Sequence, residues 1–394
     1  MVTKPLAPGA NVARLRKERG WSQAKLARKA GVSLSLLSKV EVGDRTLTPS
    51  AAASLGHAMG VSMADILGPA PLTPSDESIM ENLRNAMRDY DLPQMEAPPE
   101  GEVDAEIAQV NILRDNVNLS ELMPILPPLL RKATALAVTL NDAHSWTALA
   151  EVYSAIYWLA ARHRWMDLAE VAVSRERWAS EQKRNPLSEA VAARDRAGTY
   201  LNFGDVENGL ILIDRAIASA ESRLSGDERD LAVGILNLRG MTLAGRLTDD
   251  KEAKREANRH IASALQLSAR FNEEHRIQGC IFGPKNTFVH HLATLTDLRQ
   301  QREALKLTED LDSAMSGLPP TRVAPTYITA ARAHLDVHNM ESALQNLQKA
   351  WDTAPQLARI HPMWQEVLRV ADSRHKRSNP RLNRLLKLSG IAAK

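Results

Sequence analysis

Apolar residues recur every three or four positions along most of this chain, the spacing that gives a helix one buried face. Val12 and Leu15 face inward, and Arg14, Lys17 and Arg19 outward, predicting a first helix over residues 10–20. Ser22 to Gly43 predicts two short helices joined by a turn at Gly31-Val32-Ser33. Ser22 and Ser33 are placed to cap them, each hydroxyl accepting from amides that lack an intrahelical partner. Ala27 falls where the two helices cross, and only a small side chain admits that approach. Gly31 leaves the first helix in a left-handed conformation that costs glycine no Cβ clash. Val32, Leu37 and Val40 seat the second helix. Thr48-Pro49 opens another helix carrying Leu55 and Met59, and Ser62-Met63-Ala64-Asp65 opens a last short one to Leu67. Gly68-Pro69-Ala70-Pro71 then stops it.

Ser75 to Asp91 predicts a helix with Ile79, Leu83 and Met87 four apart. Pro93, Pro98, Pro99 and acids through Asp104 follow, a composition expected of a linker. Beyond it the helical period is broken about every 35–45 residues, as in stacked helical hairpins. The expected division is therefore 1–70, a 71–104 helix and acidic linker, and 105–394.

Composition narrows the class. Hydrophobic residues make up 44% and charged residues 25%, values of an ordinary globular chain, and 4% aromatics favour helices over sheets. One cysteine, Cys280, excludes an internal disulfide framework. No apolar run approaches a membrane span, and a cytoplasmic protein is expected. The net charge of +3 is unevenly spread. Residues 1–68 carry ten Lys/Arg against four Asp/Glu, and the remainder 40 against 43. A basic module on a mildly acidic body suits phosphate binding at one end.

Residues about 11–68 resemble the repressor-type helix-turn-helix of the Cro/cI and xenobiotic-response-element (XRE) families. The LRKERGWSQAKLARKAGVS, SKVEVGDR and TPSAAASLGHAMGVSMADIL runs carry the likeness. It implies a five-helix domain that reads operator DNA, with Gln23 on a phosphate and Arg16 paired to Glu41. Ser33, Leu34, Ser35, Ser38 and Lys39 would face base edges, with Arg45 near the phosphates. Leu34 departs from the usual polar residue and suits a thymine methyl.

The later units resemble tetratricopeptide repeats over about 105–375. Ala197, Tyr200, Gly204-Asp205, Gly209, Ile213 and Ala216 fit one unit; Ala331, Ala343, Leu347, Ala350 and Pro355 fit another. Units from Glu151, Gly234 and around Ala304 fit less well, the second with an insertion at Thr248 to Lys254. The layout resembles actinobacterial regulators, through FGPKNTFVHH and the C-terminal tail, and also peptide-sensing quorum regulators of Gram-positive bacteria. The expected fold class is all-α: a five-helix reader followed by a tetratricopeptide-like solenoid. The resemblance implies a homodimeric regulator, a repressor type among them.

The motifs of hydrolases, metalloproteases, nucleotide-binding loops and redox CxxC sites do not occur, so no catalysis, cofactor or metal is expected. A repeat groove lined by the first helix of each pair would instead hold an effector. In that register the lining is Glu151, Trp158, Arg162, Arg194, Asn202, Asn237, Asn286, His290 and Arg332. Asparagines suit peptide amides and arginines suit carboxylates, so a signal peptide or small acidic molecule fits. The competing class is a protein-interaction scaffold tethered to DNA.

Overall fold

The computed structural model describes residues 6–68, 70, 74–99, 101–374 and 379–390. The first five helices are α1 (Pro8–Glu18), α2 (Gln23–Lys29), α3 (Leu34–Val42), α4 (Pro49–Met59) and α5 (Met63–Leu67). Their ends follow the capping signals. Ser22, Ser33 and Thr48 each accept from the amide three residues on, at 3.1–3.2 Å, and Ser62 with Asp65 forms a capping box. Val12, Leu26, Leu37, Val40, Leu55 and Ile66 fill the core, with Ala27 buried beside them. The α1–α3 crossing is tighter still, since a Cβ on Gly9 would sit 1.9 Å from the Val40 carbonyl oxygen.

One ion pair locks these helices. Arg16 Nε and Nη2 donate to the two Glu41 oxygens at 2.7 and 2.8 Å, and Arg16 Nη1 donates to the Trp21 carbonyl at 2.7 Å. Burial pushes the Glu41 carboxyl up. Hydrogen bonds from Arg16 and Gln23, with the Arg16 charge, outweigh that and hold it below its usual value.

The body begins with α6 (Pro74–Arg88), α7 (Glu102–Asp115) and α8 (Leu119–Leu140). The helix expected near Ser75 is far from idle, for Met80, Leu83 and Met87 enter the core shared with α8. The acids Glu102 and Asp104, expected in the linker, instead occupy the first turn of α7, where the helix dipole favours them.

Next come two helix pairs, α9 (Ala143–His163) with α10 (Met166–Glu181), and α11 (Pro186–Phe203) with α12 (Val206–Arg223). A third joins α13 (Gly226–Ala244) to α14 (Asp250–Ser268). The insertion expected at Thr248 to Lys254 is mostly helix, because the Asp249 carboxylate caps α14 at the Glu252 amide, 2.7 Å away. A hairpin, β1 (His275–Ile277) and β2 (Cys280–Phe282), precedes α15 (Pro284–Asp297) and α16 (Gln301–Thr308). The short α17 (Leu311–Ala314) leads to the pair α18 (Pro320–Asp336) and α19 (Met340–Thr353). The last described helices are α20 (Pro355–Ile360), α21 (Pro362–Arg374) and α22 (Pro380–Ser389). The fold is all-α but for this hairpin, which no strong turn dipeptide announced.

Ala197, Ile213, Ala331, Ala343, Leu347 and Ala350 are all fully buried where paired helices meet. The pairs do not leave an open groove. Leu357 and Ile360 of α20 join the core built by α8 and α9. The Ser120 amide donates to the Gln356 side chain at 3.0 Å, and Arg164 Nη1 to the Ile360 carbonyl at 2.8 Å. End meets beginning, and the first helix of each pair faces the enclosed space.

The five-helix domain docks on this body. α4 and α5 pack on α11. Leu47 N donates to Glu366 Oε1 at 3.5 Å, Ser373 Oγ to the Gly43 carbonyl at 3.2 Å, and Arg374 Nη2 to the Asp44 carbonyl at 3.2 Å. Gly204 ends α11 at φ +70°, where a Cβ would lie 2.4 Å from the Ala53 carbonyl oxygen.

Two tests follow from this packing. Glu41→Ala leaves the Arg16 charge buried and unpaired, which costs about 3–5 kcal/mol. Hydrogen exchange over α1–α3 should accelerate and DNA binding should be lost; wild-type protection there would remove the pair from its role. Because the folded carboxyl titrates below its unfolded value, the stabilisation is complete above about pH 4.5 and disappears as pH falls through the depressed value. Gly204→Ala meets both a left-handed backbone, a cost of about 1–2 kcal/mol, and the α4 carbonyl. It should lower the urea midpoint and speed exchange in α4. An unchanged midpoint would contradict the close approach.

Candidate functional site

On α3 the expected base-reading residues fall on the side turned away from the domain core. Leu34 is 49% exposed, Ser35 and Lys39 are exposed, and Ser38 is half-buried. Ser33 spends its hydroxyl on the helix cap. Arg45 is half-buried just past the helix, its amide donating to the Lys39 carbonyl at 3.3 Å. Gln23 departs from expectation. Its Nε2 donates to Glu41 Oε2 at 2.8 Å, so that donor braces α2 against α3 rather than reaching for a phosphate. Sequence reasoning passed over Val42, which is 62% exposed, and the basic side of α2. There the Lys25 and Lys29 ammoniums lie 5.2 and 5.3 Å from the Trp21 ring centre.

Behind this domain the inward helices enclose a cavity of about 400 Å³. Five of the nine residues expected to hold a ligand line it: Trp158, Arg162, Arg194, Asn202 and His290. The other four are engaged elsewhere. Glu151 accepts from Asn111 Nδ2 at 2.8 Å. Asn237 donates to the Val233 carbonyl at 2.8 Å and meets His260 Nδ1 at 2.8 Å. Asn286 donates to the Ile281 carbonyl at 2.6 Å, tying the hairpin to α15. Arg332 is paired with Asp297. A helical register one turn too loose puts such residues between helices instead of at the cavity wall.

Arg114, Arg239, Arg246, Arg322, Tyr157, Asp195 and His361 line the cavity without having been anticipated. Arg239 lies on α13, and Arg246 in the turn just past its end. Arg114 comes from α7, ahead of the paired helices, and was not among the residues expected to line a groove.

The electrostatics of the cavity are one-sided. Asp195 is paired with Arg194, lies 3.9 Å from Arg239 Nη2, and accepts from Ser154 Oγ at 2.8 Å. The Arg162 guanidinium stacks 3.8 Å from the Trp158 ring centre, and Arg114 lies 5.4 Å from it. Arg114 Nη2 also donates to the Gly279 carbonyl at the hairpin turn, 3.3 Å away. Burial, with the charges of Arg322 and Arg114, holds Arg162 well below its ordinary value. Burial and Arg194 push Arg322 down to about 10. Burial drives His361 down to about 3 and His290 well below its usual value, so both rings are neutral near pH 7.

The comparisons concern the N-terminal domain. A helix-turn-helix family model matches residues 12–66, the span of α1 to α5. Over 66 residues the chain is 38% identical to a protein of Sinorhizobium fredii named as the uncharacterized HTH-type transcriptional regulator y4dJ. That alignment covers 86% of the relative and 17% of this chain. No solved structure matches the chain significantly. The capped α2–turn–α3 unit, its exposed recognition face and these two likenesses agree, and the chain belongs to the XRE-type helix-turn-helix family of DNA-binding transcriptional regulators.

Proposed function

We propose that this regulator binds operator DNA as a dimer and that a small effector in the inner cavity alters that binding. One observation carries the reading: Met63, from the DNA-binding domain, lines the cavity together with Arg194, Gly198 and Asn202 of α11. The same α11 packs on α4 and α5. A ligand seated there touches both the wall and the domain that reads DNA. It shifts the balance of two arrangements only by its differential affinity for them, typically about 1–3 kcal/mol, or roughly 5- to 150-fold in operator affinity. Two readers must stand about 34–36 Å apart to enter successive major grooves, a spacing the body would set in the dimer. A scaffold gripping a partner protein calls for an open groove with an apolar rim. An inward, arginine-lined cavity favours sensing.

Operator titrations by fluorescence anisotropy test both halves. Lys39→Ala should relax discrimination at one base position by about 1–3 kcal/mol, while Arg45→Ala weakens all sequences alike and flattens the salt dependence. Wild-type behaviour in both variants would move the DNA face elsewhere. Met63→Ala should leave unliganded operator affinity near wild type and change the response to effector. Full-length protein whose operator affinity no cavity ligand alters would overturn the sensing reading.

A further inference from the structure

Six arginines converge on the cavity: Arg114 from α7, Arg162 from α9, Arg194 from α11, Arg239 from α13, Arg246 from the turn just after α13, and Arg322 from α18. Asp195 is the one carboxylate among the lining residues and offsets a single charge. Glu176 is buried nearby. Burial first, then Asp195, hold its carboxyl well above the usual range. Four guanidinium nitrogens, Nη1 of Arg114 and Nε of Arg239, Arg246 and Arg322, are buried with no hydrogen-bond partner.

Arginines serving only the fold are treated differently in this molecule. Arg16 is matched to Glu41 and Arg332 to Asp297, one buried carboxylate for each buried cation. Inside the cavity Arg194 and Arg239 share the single carboxylate of Asp195 and the other four arginines have no carboxylate paired with them, whereas charge left without a partner away from water is what a native fold otherwise avoids. The missing partner is anionic, and its chemistry can be narrowed. A guanidinium presents a planar fork that bonds phosphate or carboxylate through two parallel N–H groups. Balancing six lining arginines against one lining carboxylate within about 400 Å³ demands high charge density. A phosphoryl group supplies up to two charges on one small centre, where carboxylates would need one carbon centre per charge. Leu201, Val289 and Ala293 leave an apolar side for an organic portion.

We infer that the cavity is a binding site for a compact, multiply phosphorylated small molecule, its phosphoryl oxygens held by these arginines. This rests on the sensing reading only in taking the cavity as the effector's seat. The ligand deepens the site's chemistry by supplying the counter-charge that the protein withholds.

Calorimetric titration of the full chain with inorganic tripolyphosphate, at matched ionic strength, is the test, with orthophosphate, citrate and tetraglutamate as competitors. Tripolyphosphate should bind once per chain, at least tenfold tighter than citrate or orthophosphate, and raise the melting temperature. Arg239→Gln with Arg322→Gln should weaken it at least tenfold. The unliganded double variant should melt at or above the wild-type temperature, because it loses repelling charge. Arg255→Gln, on the exposed side of α14, should change nothing. Equal binding by wild type and the double variant, or preference for tetraglutamate, would overturn the inference. So would a wild type that does not bind tripolyphosphate, which needs no variant to establish. Operator affinity is read in the same samples: tight tripolyphosphate binding without any change in it would leave the site intact and sink the sensing reading alone.

Discussion

Closure of the body is the constraint from which the rest follows. If α20 did not settle against α8 and the α9–α10 turn, the inward helices would line an open groove and their arginines would sit in water. Gln356 on Ser120, and Leu357 and Ile360 in the α8–α9 core, narrow that groove to a cavity in which most of the arginines are half-buried. Desolvation then converts ordinary surface cations into a concentrated, mutually repelling set, as the lowered values of Arg162 and Arg322 express. The cavity's chemistry is thus a product of topology before it is a product of any one side chain.

Local features were legible because each has a local cause. A serine hydroxyl three residues before an amide, an alanine at a crossing and a glycine at φ +63° after α2 act within a few residues of themselves. Hence the helices of the five-helix domain could be placed from their own residues, whereas the Arg16–Glu41 pair, 25 positions apart, came from the family resemblance. The inward register of the body could not be placed in that way. Trp158, Arg162 and Arg194 were found because α9 and α11 keep regular pairs, whereas Asn237 and Asn286 answer to His260 and to the hairpin. The hairpin itself turns on Gln278-Gly279, a pair without a strong signal. Its glycine gives room to the Arg114 guanidinium, whose Nη1 would lie 1.9 Å from an added Cβ and would have to move aside for one. Such a requirement arises between residues 165 positions apart, and no periodicity reports it.

The molecule holds two opposed treatments of buried charge. In the DNA-binding domain the guanidinium–carboxylate match is complete, and the helices it joins are fixed. In the body, stability is left unclaimed at the place where a ligand can supply it. Functional sites commonly depart from the stability optimum in this way.

Arg164 ends α9 in a left-handed conformation, φ +62°, two residues beyond the cavity's Arg162. Its fork reaches two places at once: Nε donates to the carbonyl of Gly68, where the DNA-binding domain ends, and Nη1 to the carbonyl of Ile360 on the closing helix. One rigid, planar group therefore couples the two places it reaches. The exit of the reader and the closing helix of the body are held by the same plane of atoms, so tilting one without turning the other breaks a bond on a half-buried cation.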